Sequence, residues 1–138
     1  MDNAEQADLE HTVCVELLRT QRIGRLVYDD AVGAQVRPVN YIVLGEHIVL
    51  RMDKSFHDET RVVFEIDSID TVGDEGWSVI VEGRAFSIPV EPVQHSEPAL
   101  PWAPGAKAWS TKIVIDSISG RYVKAQRETR SDSAHGYL

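Results

Sequence analysis

The feature that most constrains this chain is a succession of short β-rich runs with no long helical segment between them. In the run over residues 61–69, apolar Val62, Phe64 and Ile66 alternate with other residues, which is the period of a strand with one buried face. The absence of intervening helices of roughly 10 to 15 residues argues against a parallel βαβ sheet and its dinucleotide crevice. The predicted strands cover residues 25–28, 35–43, 48–52, 61–69, 77–88 and 109–115.

Two of the connections between these runs have the residues of tight turns. Residues 29–33 end in Gly33, and Gly45 lies at the centre of residues 44–46. Glycine accepts the positive φ that hairpin turns require. We therefore predict that consecutive strands are antiparallel neighbours in a mainly β fold, a closed or partly closed barrel.

The segment before the strands has the pattern of one short amphipathic helix. Over residues 8–21, Cys14, Leu17 and Leu18 recur at spacings of three and four, with charged residues between them. Asp8 is placed to cap the N-terminus of this helix, and Gly24 follows its last turn. The apolar stripe of the helix is expected to lie on the barrel.

Two further segments lack both periodicities. Residues 89–105 contain all but one of the six prolines, which predicts a long loop. Trp102 in this loop fits either a functional contact or an anchor that pins the loop to the barrel. Residues 126–138 are predicted to be a disordered tail, so the folded domain is expected to cover residues 1–125.

The composition argues against several classes of partner and site. The formal net charge of −8 disfavours nucleic acid, because binding to its backbone depends on clustered Lys and Arg. No run of about 18 apolar residues is present to cross a membrane, and the acidic start differs from a signal peptide. Cys14 is the only cysteine and is expected to be a small buried hydrophobe, and the five histidines have no metal-ligand spacing. We expect a cytoplasmic protein with no metal site.

One predicted strand has two chemically different faces. Over residues 37–41, Arg37, Val39 and Tyr41 share one face, and Pro38 and Asn40 share the other. Proline removes a ladder donor and asparagine packs poorly within a strand, so this strand is expected to border an edge or a binding site. Asn40 fits equally well a role in satisfying a neighbouring loop.

The next strand ends in a polar cluster. Arg51, Lys54 and Ser55 place two cations and a hydroxyl within a few residues of one another. Arginine presents a planar fork and lysine a point charge, and together they can neutralise a phosphomonoester. Such a cluster is also typical of an ordinary solvated surface.

A third candidate lies at the start of the strand over residues 77–88. Trp77 can form the wall of a site for a flat ring, and Ser78 can donate a hydrogen bond to a phosphate or ring oxygen. Core packing at a dimer interface explains Trp77 equally well. Gly83 in the same strand indicates a bulge or a close backbone approach.

The sequence contains no common hydrolytic motif. We find no Gly-x-Ser-x-Gly elbow, no phosphate-binding glycine-rich loop and no His-Glu-x-x-His. Glu65, Asp67 and Asp70 have strand-like spacings that leave a glycosidase acid pair open, although exposed strand faces carry such residues routinely.

Eight short pieces of the sequence occur in an order that is typical of one family. They are CVELL (residues 14–18), RIGRL (22–26), PVNY (38–41), FEID (64–67), GWSV (76–79), GRA (83–85), PWAPG (101–105) and GR (120–121). Together they resemble the flavin-nucleotide-binding proteins related to pyridoxamine 5′-phosphate oxidase that are common in actinobacteria. The resemblance covers residues 9–124 and rests on the number and order of the pieces.

The resemblance implies a six-stranded antiparallel split β-barrel with a short N-terminal helix. It also implies a homodimer that binds FMN in the cleft between its subunits. The implied cofactor-binding residues are Pro38, Val39, Asn40 and Tyr41 beside the isoalloxazine, Arg51, Met52 and Lys54 for the phosphate, and Trp77 and Ser78 at the border of the site.

The chain departs from the family pattern in two places. Relatives usually read Arg-Thr and then Gly-Thr-Lys, whereas this chain has Arg51-Met52-Asp53-Lys54, which removes hydroxyls and adds a negative charge near the phosphate. The substrate-recognition segment of true pyridoxamine phosphate oxidases does not follow Arg121, so that reaction is not expected. Our first hypothesis is an FMN-dependent oxidoreductase of an unknown small molecule. The second is a module that binds F420 or no cofactor and acts in ligand binding or protein interaction.

Overall fold

The computed structural model describes residues 4–90 and 109–125 as one antiparallel sheet with a single helix. In chain order the elements are β1 (Ala4–Asp8), α1 (His11–Thr20), β2 (Ile23–Asp29), β3 (Ala34–Leu44), β4 (His47–Met52), β5 (Thr60–Asp70), β6 (Glu75–Pro89) and β7 (Trp109–Ala125). Among these residues no helix combines the length and the hydrophobicity needed to span a membrane. The predicted fold class, a mainly β antiparallel barrel with a short N-terminal helix, is confirmed.

The sheet closes on itself as a ring of six strands. The order is β7-β4-β3-β2-β5-β6, and β6 pairs again with β7. These six are the strands that the alternation pattern predicts. The structure adds β1, which pairs with residues 121–125 of β7, beyond the stretch of β7 that pairs with β4. The sequence of β1, AEQAD, has no apolar alternation from which it could be predicted.

The strands at the closure are longer than the sequence predicts. β7 was expected to end at residue 115 but continues to Ala125, because β6 pairs with it on one edge and β1 on the other. The β6–β7 register shifts between Glu82 and Gly83, which matches the bulge predicted at Gly83. Pro89, predicted to begin the long loop, is the last residue of β6. Trp102 and the predicted tail over residues 126–138 lie outside the described residues.

The helix is shorter than predicted, and Asp8 does not cap it. Asp8 is still extended and pairs with Arg121, so Glu10 takes the N-cap position, where its side chain makes no capping hydrogen bond. The helix ends at Thr20. Cys14 and Leu18 are fully buried against the barrel, as the apolar stripe predicts.

Side chains from alternate positions of the strands fill the barrel. Val62, Phe64 and Ile66 are 3%, 0% and 1% exposed, which confirms the predicted inward face of β5. Gly33 and Gly45 have φ values of 140° and 61°, as the predicted hairpins require. Because the interior is packed with side chains, residues that bind a ligand must face outward or lie at an end of the barrel.

Gly24 on β2 allows the central ring of this core to approach the backbone. A Cβ atom at this position would lie 2.3 Å from Cζ of Phe64. That ring also packs edge-on against Tyr41, with 4.8 Å between the ring centroids. Gly24, which the sequence suggested as a helix stop, is therefore a packing requirement of the core.

We predict that Gly24→Ala lowers the free energy of unfolding by about 1 to 3 kcal/mol, the usual cost of overpacking a core. Urea denaturation measures this change. The matched control is Gly73→Ala, where the added Cβ would meet the carboxylates of Asp70 at 2.9 Å and Glu75 at 3.6 Å, both at the ends of flexible side chains. Equal effects of the two substitutions would contradict the prediction.

Candidate functional site

The predicted cofactor-binding residues divide between the two faces of the sheet. Val39, Tyr41 and Met52 face the core and are 8%, 2% and 1% exposed. Residues of the same strands with the opposite parity, together with Ser78 on β6, face outward. The outward-facing members of the predicted set are Pro38, Asn40, Arg51 and Ser78.

Tyr41 has a structural role that its burial makes clear. Its hydroxyl donates a hydrogen bond to the carbonyl oxygen of Leu18, at 2.5 Å, and so ties α1 to β3. Burial raises the pKa of the Tyr41 phenol, so the group keeps its proton at physiological pH. The inward residues Val39, Tyr41 and Met52 can therefore meet a ligand on the outer face only through their backbone atoms.

Asn40 is a buried polar residue on the outer face. It is 8% exposed, lies opposite Ile23 on β2, and its side-chain amide makes no hydrogen bond with the described residues. An asparagine amide offers two donors and an acceptor, and on this face they are available to a ligand. The alternative was that the Asn40 side chain hydrogen-bonds to a neighbouring loop. No such hydrogen bond is present within residues 4–90 and 109–125. Arg51 follows Leu50, the partner of Tyr41, so the register places it beside Asn40.

Lys54 lies in different surroundings from Arg51. Its Nζ atom is 5.4 Å from the ring centroid of Tyr28 and 5.1 Å from that of Phe56. The two rings pack edge to face with 5.1 Å between their centroids. Lys54 is therefore held by cation–π contacts over the end of the core. A contact between Lys54 and a phosphate beside Arg51 would require this side chain to leave the rings.

The negative charge of Asp53 is compensated within the chain. Its Oδ1 atom accepts a hydrogen bond from Nη1 of Arg37 at 3.0 Å. Arg37 precedes the Pro38–Tyr41 stretch on β3, so the ion pair links β3 to the segment after β4. The repulsion that Asp53 was expected to add to a phosphate site is offset by this partner.

A second ion-pair cluster occupies the outer face between β2 and β5. Nη1 of Arg25 lies 2.9 Å from Oε1 of Glu65 and 2.6 Å from Oδ2 of Asp67. Burial, followed by a hydrogen bond with the Asp67 carboxyl, raises the pKa of Glu65. Because both carboxyl groups bind one guanidinium, this cluster supports a structural role and not the glycosidase pair considered from the sequence.

Trp77 and Ser78 line a groove that the sequence did not predict. The hairpin of β5 and β6 and the end of β7 continue beyond the ring, and a groove of about 270 Å³ lies there. Ser78 pairs with Asp67 on β5 and with Arg121 on β7. Arg121 stood in one of the motifs but had no assigned role, because only the long β6–β7 pairing brings it to Ser78. The groove is lined by Ile69, Asp70, Thr71, Asp74, Glu75, Gly76, Trp77, Ser78, Arg121, Val123 and Ala125.

A match between the sequence and a family model identifies the family of this chain. The model described as pyridoxamine 5′-phosphate oxidase matches residues 10–122. The chain belongs to the pyridoxamine 5′-phosphate oxidase family. The resemblance stated from the sequence is thereby confirmed.

Individual relatives of this oxidase-family chain are distant in sequence but similar in fold. An FAD binding protein from Mycobacterium smegmatis is 25% identical, with a TM-score of 0.63 over 86% of this chain and 98% of its own. A provisionally named pyridoxamine 5′-phosphate oxidase from Corynebacterium glutamicum is 26% identical, with a TM-score of 0.68 over 93% of this chain and 99% of its own. An uncharacterized protein of Mycobacterium tuberculosis is 25% identical over 91% of this chain and 90% of its own length.

We predict that Tyr41→Phe destabilises this oxidase-family chain by about 1 to 2 kcal/mol, because the buried Leu18 carbonyl loses a donor. Binding of FMN, the cofactor that the resemblance implies, should change less than about twofold, since the hydroxyl faces the helix. Thermal denaturation and an FMN titration give the two values. Tyr28→Phe is the matched control, because the Tyr28 hydroxyl has no hydrogen bond with the described residues. A large loss of FMN affinity with unchanged stability would contradict the structural role.

We also predict a pH-dependent difference in stability between the native chain and Glu65→Gln. Because the pKa of Glu65 is raised in the folded state, the stability that this group contributes is present at low pH and is lost as pH rises through the folded pKa. The native chain should therefore lose stability relative to Glu65→Gln as pH rises from below the ordinary glutamate pKa of about 4.3 through the raised pKa of the folded state. Denaturation at several pH values measures the trend, with Glu46→Gln in the β3–β4 turn as control. A difference that is constant with pH would contradict it.

Proposed function

We propose that this chain binds a flavin nucleotide on the outer face of its barrel, with Asn40 and Arg51 as the side chains that hold it. The observation that carries the proposal is the adjacency of Asn40 and Arg51 on the outer face, where the Asn40 amide makes no hydrogen bond with the described residues. Membership of the oxidase family supports the same ligand class. The Mycobacterium smegmatis relative, named as an FAD binding protein, adds support.

We propose that the ligand is FMN, the smallest flavin nucleotide that would contact both the Asn40 amide and the Arg51 guanidinium. An amide can pair with the polar edge of a flavin ring, and the Arg51 fork suits a phosphate. Pro38 and the backbone of Val39 and Tyr41 would provide the surface beside the ring. A bound flavin supplies electron or hydride transfer, and the protein supplies position and electrostatics. On this basis the chain would act as an oxidoreductase. The residues of the site do not identify the small molecule that it would oxidise or reduce.

We propose that a homodimer completes the site. Along one side of the ring, Arg51 on β4 and Ser78 on β6 are separated by β3, β2 and β5. At about 4.8 Å per strand interval, the path along the sheet is roughly 19 Å, and the barrel curves over that distance. On the other side only β7 lies between their strands, but Arg51 pairs with Ser110 and Ser78 with Arg121, which are far apart along β7. A second copy would bring its own Ser78 to the Asn40 face of the first, whereas Trp77 packs against the core of its own barrel. Outward apolar residues near both surfaces support such contact: Ile23 and Val36 on the Asn40 side are 39% and 60% exposed, and Ile80 on the Ser78 side is 41% exposed.

The test is a titration of the purified chain with FMN, followed by absorbance and by gel filtration. Asn40→Ala and Arg51→Gln should each weaken FMN binding by about tenfold or more, the expected loss for a charge-assisted or buried hydrogen bond. Colour that travels with a dimer-sized species would support both the ligand and the assembly.

The matched control for Arg51 is Arg84→Gln. Arg84 is also an arginine on a strand, but its guanidinium is engaged by Asp116 at 2.9 Å. The proposal fails if the Asn40 and Arg51 variants bind FMN as tightly as the control does. A colourless native chain that binds no added FMN would favour the second hypothesis, a module with F420 or no cofactor.

A further inference from the structure

A cavity of about 260 Å³ lies on the outer face of the sheet, where β2, β5 and β6 run side by side. Val27 on β2 is paired with Val63 on β5, and Val63 is paired in turn with Glu82 on β6. The two valines are half-buried and form an apolar floor. The cavity is separate from the proposed flavin site, because Val27 lies about 13 Å along β2 from Ile23, the partner of Asn40.

Charged side chains from three strands surround this floor. They are Asp29 on β2, Arg61 on β5 and Glu82 on β6. Asp29 follows Val27 by two residues and Arg61 precedes Val63 by two, so the strand period puts both on the same face as the valines. All three charged residues are exposed, and none of their side chains makes a hydrogen bond or ion pair with the residues that the structure describes. The cavity therefore presents one cation and two anions that are not neutralised by direct contact.

The same combination of charges behaves differently elsewhere on this face. Arg25, Glu65 and Asp67 are also one guanidinium and two carboxylates on β2 and β5, and they close to contacts of 2.9 and 2.6 Å. Opposite charges on neighbouring strands gain from such pairing. Around the cavity the charges are held apart over an apolar floor, which leaves room for a ligand between them.

Arg61 also faces a like charge. Its partner in the β5–β6 ladder is Arg84, whose guanidinium donates hydrogen bonds to both carboxylate oxygens of Asp116 at 2.9 to 3.1 Å. The hydrogen bond from Arg84 is the largest cause that lowers the pKa of Asp116, and the charge of Arg61 is a smaller one. Like charges directly opposite each other on adjacent strands are destabilising. An anionic group of a ligand would relieve this repulsion by pairing with Arg61.

The backbone at the third charged residue is fixed by the fold. The β6–β7 register shifts between Glu82 and Gly83, and a bulge of this kind sets the direction of the side chain beside it. A Cβ atom at Gly83 would lie 2.3 Å from the carbonyl oxygen of Val114, so the strands are in close contact there. The position of Glu82 at the cavity is thus built into the sheet.

We propose that this cavity binds a basic α-amino acid, such as lysine or ornithine. The carboxylate of the ligand pairs with Arg61, and its two ammonium groups pair with Asp29 and Glu82, so that the charges match one to one. The carbon chain between the ammonium groups lies on Val27 and Val63. Asp29 and Glu82 are on strands two intervals apart, about 10 Å, which an extended lysine spans together with the two acidic side chains. A volume near the lower end of ligand pockets suits a single amino acid.

The experiment is isothermal titration calorimetry of the full native chain, without added flavin, with L-lysine, L-leucine and 1,5-diaminopentane. Leucine lacks the second ammonium group, and diaminopentane lacks the carboxylate. We expect lysine to bind more tightly than either by about threefold to tenfold, between the effect of an exposed ion pair and that of a charge-assisted hydrogen bond.

Substitutions at the cavity should affect these ligands differently. Arg61→Gln should weaken the binding of lysine and leucine alike, by about threefold to tenfold, because both ligands carry the carboxylate. Glu82→Gln and Asp29→Asn should each reduce the preference for lysine over leucine. Because all three positions are exposed, the melting temperature should change little, and three separate variants keep the proposal testable if one of them does not fold.

The control variants remove the same kinds of charge away from the cavity. Arg37 is paired with Asp53, and Glu46 lies in the β3–β4 turn, so Arg37→Gln and Glu46→Gln should leave the affinity for lysine unchanged. Gel filtration reports whether each variant keeps the assembly of the native chain.

A lysine at the C-terminus of a peptide offers similar chemistry but lacks a free α-ammonium group. Nα-acetyl-lysine represents this second source and should bind as weakly as leucine. If it binds as tightly as lysine, the free amino acid is overturned as the ligand.

The remaining outcomes test the site itself. Equal affinities of the native chain for lysine and leucine overturn the assignment of a basic amino acid. Binding of diaminopentane as tight as that of lysine overturns the role of Arg61. Lysine binding that is unchanged in Arg61→Gln and Glu82→Gln, or no binding at millimolar concentration, overturns the site altogether. None of these results depends on whether the chain binds a flavin.

Discussion

The pairing of β6 with β7 is the interaction on which both the barrel and the proposed sites depend. It runs from Glu75 opposite Lys124 to Pro89 opposite Trp109, so one ladder closes the ring and then continues beyond it. Within the ring, closure leaves no edge and packs the interior with side chains. Beyond the ring, the same ladder places Arg121 opposite Ser78 and forms the wall of the groove. At Gly83 the ladder shifts register, where a Cβ atom would lie 2.3 Å from the carbonyl oxygen of Val114.

The two-residue period of a strand then assigns roles within a single motif. In the PVNY stretch, Val39 and Tyr41 belong to the core, whereas Pro38 and Asn40 belong to the outer face. Alternate residues of one motif are thus constrained in different ways. The inward residues must pack in the core, and the outward residues must suit the contacts of the outer face. Tyr41 illustrates the first set, because its ring packs on Phe64 and its hydroxyl holds the helix. Asn40 illustrates the second, because its amide lies on the outer face and makes no hydrogen bond with the described residues.

Local patterns in the sequence were sufficient to predict elements whose identity depends on near neighbours. The ring strands, the two hairpins and the inward face of β5 follow from alternation and glycine positions. The helix start was wrong, because the carboxylate at Asp8 suits a cap, while pairing with Arg121 keeps the backbone extended. The extent of β7 was underestimated, because residues 116–125 lack apolar alternation and owe their strand conformation to pairing with β6 up to Lys124 and with β1 from Arg121 onward. The contact of Lys54 with Tyr28 joins the connection after β4 to β2, so no local pattern could reveal it.

The distribution of arginine partners shows how an acidic chain can still present sites for anions. Arg25, Arg37 and Arg84 each contact carboxylates at 2.6 to 3.0 Å, and these ion pairs link neighbouring strands or segments. Such partly exposed pairs add little stability individually, but they neutralise the carboxylates that surround the barrel. Arg51 lies beside Asn40 on the outer face, and Arg121 lies opposite Ser78 at one end of the groove. A phosphate near either residue would experience mainly its local donors, because charges more than about 8 to 10 Å away are screened by salt at physiological ionic strength. The net charge of −8 therefore limits nonspecific binding to polyanions without excluding a single nucleotide at a defined position.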